Sequence, residues 1–218
     1  MLRRRALLVR SVGSIGAIGA IGAISPIGAL TICLLAAPAS AQQEGNLRAA
    51  DHRAGTAWEA LRAGAIVVFR HADAPGGGDP PGLKLDDCST QRNLSAEGRA
   101  QARRIGERLR QERVAVGAVW ASQWCRTRET AELLGSGPVR DAVAFNSFFG
   151  EREREAAQTR QTAAARAALL GWRGPVSLVV VTHQVNLTAL TGIFPAQGEG
   201  VVLRPRAGQL EVVGRVLP

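Results

Sequence analysis

Ala65-Ile66-Val67-Val68-Phe69-Arg70-His71 is the stretch on which the reading of this chain turns. The apolar run is rich in β-branched residues and predicts a short strand buried on both faces, as in the interior of a parallel sheet. A cation and an imidazole follow at once, at the strand's carboxyl end. Open α/β sheets bind ligands at that end, so the position favours chemistry over packing. A later run of similar composition, Val176–Val181, is followed by Thr182-His183. Two such strands lying parallel would carry His71 and His183 to the same rim of the sheet. His52, the remaining histidine, has no comparable context.

Working outward from Arg70-His71, residues 72–94 read as a long loop, because Ala74-Pro75-Gly76-Gly77-Gly78-Asp79-Pro80-Pro81-Gly82 cannot continue a helix or a strand. A loop of that length predicts a flap beside the site, with a tolerated insertion as the plainer reading. Ser95 is a helix cap, Glu97 lies in the first turn, and Ala102, Ile105 and Leu109 recur at helical spacing. Gly117–Ala121 predicts a second strand, with Ser122-Gln123-Trp124 turning into a helix through Leu134. A third strand is expected over Val139–Phe145, an alanine-rich helix over Gln158–Leu170, and a helix near Asn186–Thr191. A short helix around Trp58–Ala63 precedes these elements, and a hairpin from Val201–Arg204 to Gln209–Val213 closes them. The alternation of strand and helix predicts an α/β domain, a three-layer α/β/α sandwich with a mostly parallel central sheet.

The ends and the charge bound the setting. Met1–Arg10 is basic, Ser11–Gln43 carries no charge, and Ala39-Ser40-Ala41 is the small-x-small pattern that precedes a signal-peptidase cut. Residues 1–41 are therefore expected to be a signal peptide, residues 42–55 a flexible entry and residues 56–218 the folded domain. A periplasmic or secreted protein follows, with membrane contact only if the leader stays uncleaved as an anchor. Net charge is +9, and leaving out Arg3, Arg4, Arg5 and Arg10 lowers it to +5 over residues 42–218, 23 basic against 18 acidic side chains. That excess could attract phosphorylated or nucleic-acid ligands, although arginines alternate with glutamates over 97–113 and 151–166, where solvated helix faces are the plainer reading. Nucleic acid is not expected as a partner, since Tyr is absent and no basic stripe interleaves with aromatics. Behind the leader only Cys88 and Cys125 remain, an even pair that predicts a disulfide in an oxidising compartment, against the alternative of two buried thiols.

Four groups of residues stand in one order: Arg70-His71-Ala72-Asp73; Leu94-Ser95-Ala96-Glu97-Gly98 with Ala100-Gln101-Ala102; Ser122 to Arg126-Thr127 with Glu129-Thr130-Ala131; and Val180-Val181-Thr182-His183. From about Ile66 to the C-terminus the chain resembles the histidine phosphatase superfamily, also called phosphoglycerate-mutase-like. The resemblance implies His71 as a nucleophile that becomes phosphohistidine, with Arg70, Arg126 and His183 contacting the phosphoryl group, and a phosphatase that needs no metal or other cofactor. Chemistry agrees, since a neutral imidazole can attack phosphorus while fixed guanidiniums hold its oxygens.

The chain departs from the family at several positions. Ala72 and Gln184 stand where glycine is usual. Ser147 stands where many relatives carry the carboxylic acid that protonates the leaving oxygen, and a serine hydroxyl is a poor general acid. Glu151 is nominated as that donor, and Asp73 and Gln184 as substrate-binding groups. The resemblance to small and envelope branches implies a phosphorylated small molecule or an envelope glycan phosphate as substrate. A non-catalytic phosphate-binding module of the same fold is the alternative.

Overall fold

The computed structural model describes residues 55–217, so the expected leader and nearly all of the entry segment lie outside the described residues. The chain enters through helix α1, residues 55–62, and then alternates. Strand β1 is Ile66–Arg70, helix α2 Ala96–Gln111, β2 Val116–Ala121, α3 Cys125–Leu133, β3 Val139–Asp141, α4 Arg154–Leu170, β4 Ser177–Thr182 and α5 Gln184–Thr191. The hairpin β5 Gly200–Arg206 and β6 Gln209–Val216 follows.

The strands form one sheet in the order β3-β2-β4-β1-β5-β6. β3, β2, β4 and β1 pair in parallel with one another, β5 runs antiparallel beside β1, and β6, antiparallel to β5, returns to the common direction. The continuous apolar runs of β1 and β4 are explained by cover on both faces. Val67, Phe69, Val179 and Val181 pack with Leu61 of α1, Ile105 and Leu109 of α2 and Ala131 of α3. Ile66, Val68, Leu178 and Val180 pack on the other side with Ala165 and Leu169 of α4 and Leu187 and Leu190 of α5. These are the three layers expected from the alternation.

Ser95 caps α2, its Oγ accepting from the Gly98 N–H at 2.9 Å. Gly98 lies inside the helix, where glycine costs about 1 kcal/mol relative to alanine. Its reason is contact, since a Cβ there would lie 2.0 Å from the Asp73 carbonyl oxygen. The close approach presses α2 onto the loop that leaves His71.

The stretch Val139–Phe145 departs from the expected single strand. Pairing ends at Asp141, and a 3₁₀ turn over Val143–Phe145 follows. The Ala142 N–H still reaches the Ala121 carbonyl at 2.8 Å, and the turn then drops Phe145 into the core against Trp120. Burial of one large ring ends the strand there. Residues 72–94 form the expected long loop, interrupted by a 3₁₀ turn at Cys88–Thr90.

Candidate active site

β1 and β4 are paired neighbours with Arg70 opposite Thr182, so His71 and His183 leave the sheet side by side. The His71 N–H donates to the Thr182 carbonyl at 2.9 Å, and the two imidazole centroids are 5.7 Å apart. Both rings are nearly fully buried. Arg126 comes from the first turn of α3, directly after β2, and is 3% exposed. These groups line a pocket of about 160 Å³ together with Arg70, Arg92, Asp79, Ser147, Phe149, Gln184 and the glycine run 76–78.

The tautomers follow from the partners. Nδ1 of His71 is 2.8 Å from the Ala72 carbonyl, which only accepts, so Nδ1 carries the proton. The lone pair is left on Nε2, which has no hydrogen-bond partner among the described residues. Nδ1 of His183 faces a guanidinium nitrogen of Arg126 at 3.3 Å, which only donates, so the proton of His183 is on Nε2 and goes to Ser122 Oγ at 2.8 Å. Burial, reinforced by the Arg126 charge, pushes His71 down to about 3, against the opposing bond to Ala72 and with Arg70 and Arg92 adding to it. Burial and then Arg126 push His183 in the same direction, so both imidazoles are neutral at pH 7.

Three guanidiniums surround this neutral pair. Arg70 donates to the Pro195 carbonyl at 3.0 Å, and Arg92 donates to the Ala74 carbonyl. Arg126 grips Asp79 with both terminal nitrogens, at 2.5 and 3.0 Å. Nε of Arg70, Arg92 and Arg126 is in each case buried without a partner among the described residues. Buried donors left in this way imply an anionic ligand. Among the described residues no group of three or more His, Cys, Asp and Glu gathers to hold a metal ion.

The structure thus brings together His71, Arg70, Arg126, His183 and Gln184. It does not bring Asp73 or Glu151 into the pocket. The Asp73 carboxylate turns back to accept from Ser95 Oγ at 2.5 Å, supporting the start of α2 instead of a ligand. Glu151 is exposed and lines a wider outer recess, because the chain turns outward at Gly150, where φ is +91°. The residues that sequence reasoning missed are Arg92 and Asp79. Arg92 lies in a polar loop with no periodicity, and Asp79 is embedded in the Gly/Pro run, where the chain's return path is not readable from local pattern.

Cys88 and Cys125 form a disulfide, with Cα atoms 5.7 Å apart. It ties the loop bearing Arg92 to the helix turn bearing Arg126. The same junction is sealed by Gln91, whose Oε1 accepts from the Cys125 N–H at 2.9 Å.

The family description "histidine phosphatase superfamily (branch 1)" matches residues 66–168, the span from β1 into α4. Solved structures of the same fold include the Mycobacterium tuberculosis protein Rv3214, with 17% identity, a TM-score of 0.53, and coverage of 69% of this chain and 96% of that one. Bacillus stearothermophilus YhfR gives 17% identity, a TM-score of 0.51, and 69% and 95% coverage. A phosphoserine phosphatase mutant from Entamoeba histolytica, solved with phosphoserine, gives 13% identity, a TM-score of 0.51, and 69% and 95% coverage. No curated protein matches the sequence. The family match over the strand, loop and helices that build the pocket, on a sheet that delivers both histidines to one rim, places residues 66–168 in the histidine phosphatase superfamily.

Proposed function

We propose that this protein is an exported phosphomonoesterase that works through a phosphohistidine on His71 and needs no metal. The observation that carries the proposal is the His71 tautomer. The backbone at Ala72 holds the proton on Nδ1 and leaves Nε2 as a neutral nucleophile in a pocket walled by Arg70, Arg92 and Arg126. Those arginines would hold the phosphoryl oxygens and stabilise the charge that spreads over them in the transition state. His183, donating to Ser122, keeps its ring fixed against Trp124 at 5.1 Å and stands opposite His71 as a further contact for the phosphoryl group.

The substrate is proposed to be a phosphorylated small molecule or an envelope glycan phosphate. The Entamoeba relative solved with phosphoserine supports the small-molecule reading. The inner pocket is well below the ~300–1,000 Å³ of sites that enclose whole ligands, so it suits a phosphoryl headgroup with the remainder of the substrate outside. Export is proposed from the leader pattern, and the disulfide supports it, since such bonds persist in oxidising compartments. Amino-terminal sequencing of mature protein from the periplasm is expected to begin at Gln42.

Hydrolysis of an activated aryl phosphate in the presence of a chelator tests the activity. Turnover is expected in the native protein and absent in His71→Ala, with the fold of the variant checked by circular dichroism. Turnover that survives His71→Ala overturns the proposal. A non-catalytic phosphate-binding module is the second reading, favoured by Ser147 lining the pocket where an acid would serve. Tight binding of inorganic phosphate with no turnover of any ester would establish it.

A further inference from the structure

Ser147 lines the pocket but cannot protonate an alkoxide near neutral pH, and its Oγ is engaged as the acceptor of the Phe149 N–H at 3.1 Å. Among the described residues, the one carboxylate lining the pocket is that of Asp79. We propose that Asp79 is the proton donor to the leaving group, placed in that role when the incoming phosphoryl group displaces its carboxylate from Arg126. The proposal rests on the phosphatase reading above and assigns the acid which that reading lacks.

Position is the first argument. Asp79, Ser147 and Phe149 line both the inner pocket and the wider recess outside it. In an in-line displacement the leaving oxygen departs on the side of phosphorus away from the attacking nitrogen. With His71 on the floor and the body of the substrate in the outer recess, that oxygen passes the boundary where Asp79 stands.

Geometry is the second argument. The Asp79 carboxylate fills the fork of Arg126 through two hydrogen bonds, the arrangement in which a guanidinium also takes two phosphoryl oxygens. Trp124 Nε1 donates to the same carboxylate at 3.0 Å. The phosphoryl dianion, carrying more charge than a carboxylate and meeting Arg70 and Arg92 as well, takes the fork. Burial already opposes ionisation of Asp79, and what holds its carboxyl below the ordinary value is chiefly Arg126. Stripped of that partner and set beside a dianion, the carboxyl takes up a proton.

The backbone permits the exchange. Residues 75–83 make no backbone–backbone hydrogen bond among the described residues, and Gly76 and Gly82 flank the tip with φ of +106° and +81°. The Asp79 side chain fastens the tip to Arg126 and to Trp124, so releasing Arg126 leaves the tip held by the single Trp124 bond, about which the carboxyl can turn.

The steps balance. The Nε2 lone pair of His71 forms the N–P bond, the P–O bond to the leaving group breaks, and the Asp79 proton passes to the departing oxygen. Water then bonds to phosphorus and gives its proton to the Asp79 carboxylate. The N–P bond breaks with its electron pair returning to Nε2.

The test compares native protein, Asp79→Asn and His71→Ala on two esters, phosphoserine with its poor alkoxide leaving group and a nitrophenyl phosphate whose leaving group needs little protonation. For Asp79→Asn, kcat on phosphoserine is expected to fall about 10²–10³-fold. The loss on the aryl ester is expected to be at least about tenfold smaller, since less proton transfer is at stake. Equal losses on both esters would make Asp79 a structural part, and no loss on either would make it only a plug of Arg126; each overturns the proposal. If His71→Ala abolishes turnover in either case, the phosphatase reading stands and only the acid assignment falls. Turnover that survives His71→Ala removes both.

Discussion

The floor of the pocket stands on β1 and β4, whose residues are almost all buried and whose ends are locked by the Arg70–Thr182 register. Its outer wall is the run Gly76–Gly82, largely exposed and bound to the rest of the protein through the Asp79 carboxylate. The difference shows how one site combines precision with access. His71 is held by a core that cannot yield without loss of packing, whereas the wall rests on one side chain, Asp79, whose ion pair with Arg126 an anionic ligand can replace and whose other bond is to Trp124.

If the floor supplies the chemistry, the largest effect short of removing His71 falls on Arg126→Ala. Its kcat is expected to drop about 10²–10³-fold, the usual loss on removing one preorganised donor to transition-state charge. Steady-state kinetics on the aryl ester checks this, and a loss below about fivefold would break the contrast between floor and wall.

The Cys88–Cys125 bond is where the wall-side loop is tied to the floor-side helix. Reduction, or replacement of both cysteines by serine, is expected to cost about 2–4 kcal/mol in urea unfolding. Weaker binding of inorganic phosphate is also expected, since Arg92 is no longer tethered to the turn carrying Arg126.

A pH series sharpens the account of the floor. The native state keeps His71 neutral down to about 3, while the unfolded chain protonates it near 6.5. The unfolded state therefore binds the extra proton as pH falls, so this contribution to stability is full above about pH 6.5 and is lost progressively below it. His183, pushed the same way, adds to the slope. Between pH 6.5 and 5 the native protein is expected to lose about 1–2 kcal/mol more than His71→Gln does, measured by urea unfolding at each pH. A parallel loss in both proteins would show that the burial of the imidazole is not what sets the slope.

The smallest effect is expected at Glu151, outside the inner pocket. Glu151→Gln should change kcat on phosphoserine by less than about twofold, in line with a surface substitution away from any network. A large loss there would return the proton donor to the segment after Phe149 and count against Asp79.

Much of the floor was legible because its determinants are local. Ile66–Phe69 and Val176–Val181 are apolar without alternation, which happens when both faces of a strand are covered, and Arg70-His71 and His183 follow without a gap. Ser95 and Glu97 announce the start of α2 by capping chemistry. The third strand is shorter than propensity predicts, because Phe145 suits a strand locally but is buried against Trp120 from a 3₁₀ turn. Asp73 and Glu151 were nominated from nearness in sequence, yet Ser95 claims the one and the turn at Gly150 carries the other outward.

The amino-acid order by itself determined the layers, the carboxyl ends of β1 and β4 and the two histidines with Arg70 and Arg126, because the hydrophobic runs and the residues that end them are neighbours in sequence. Which carboxylate meets those arginines was decided only by the tertiary structure. A Gly/Pro run has no period to read, and the path that brings Asp79 to Arg126, 47 residues along the chain, is set by the long-range balance of charge and burial at the pocket.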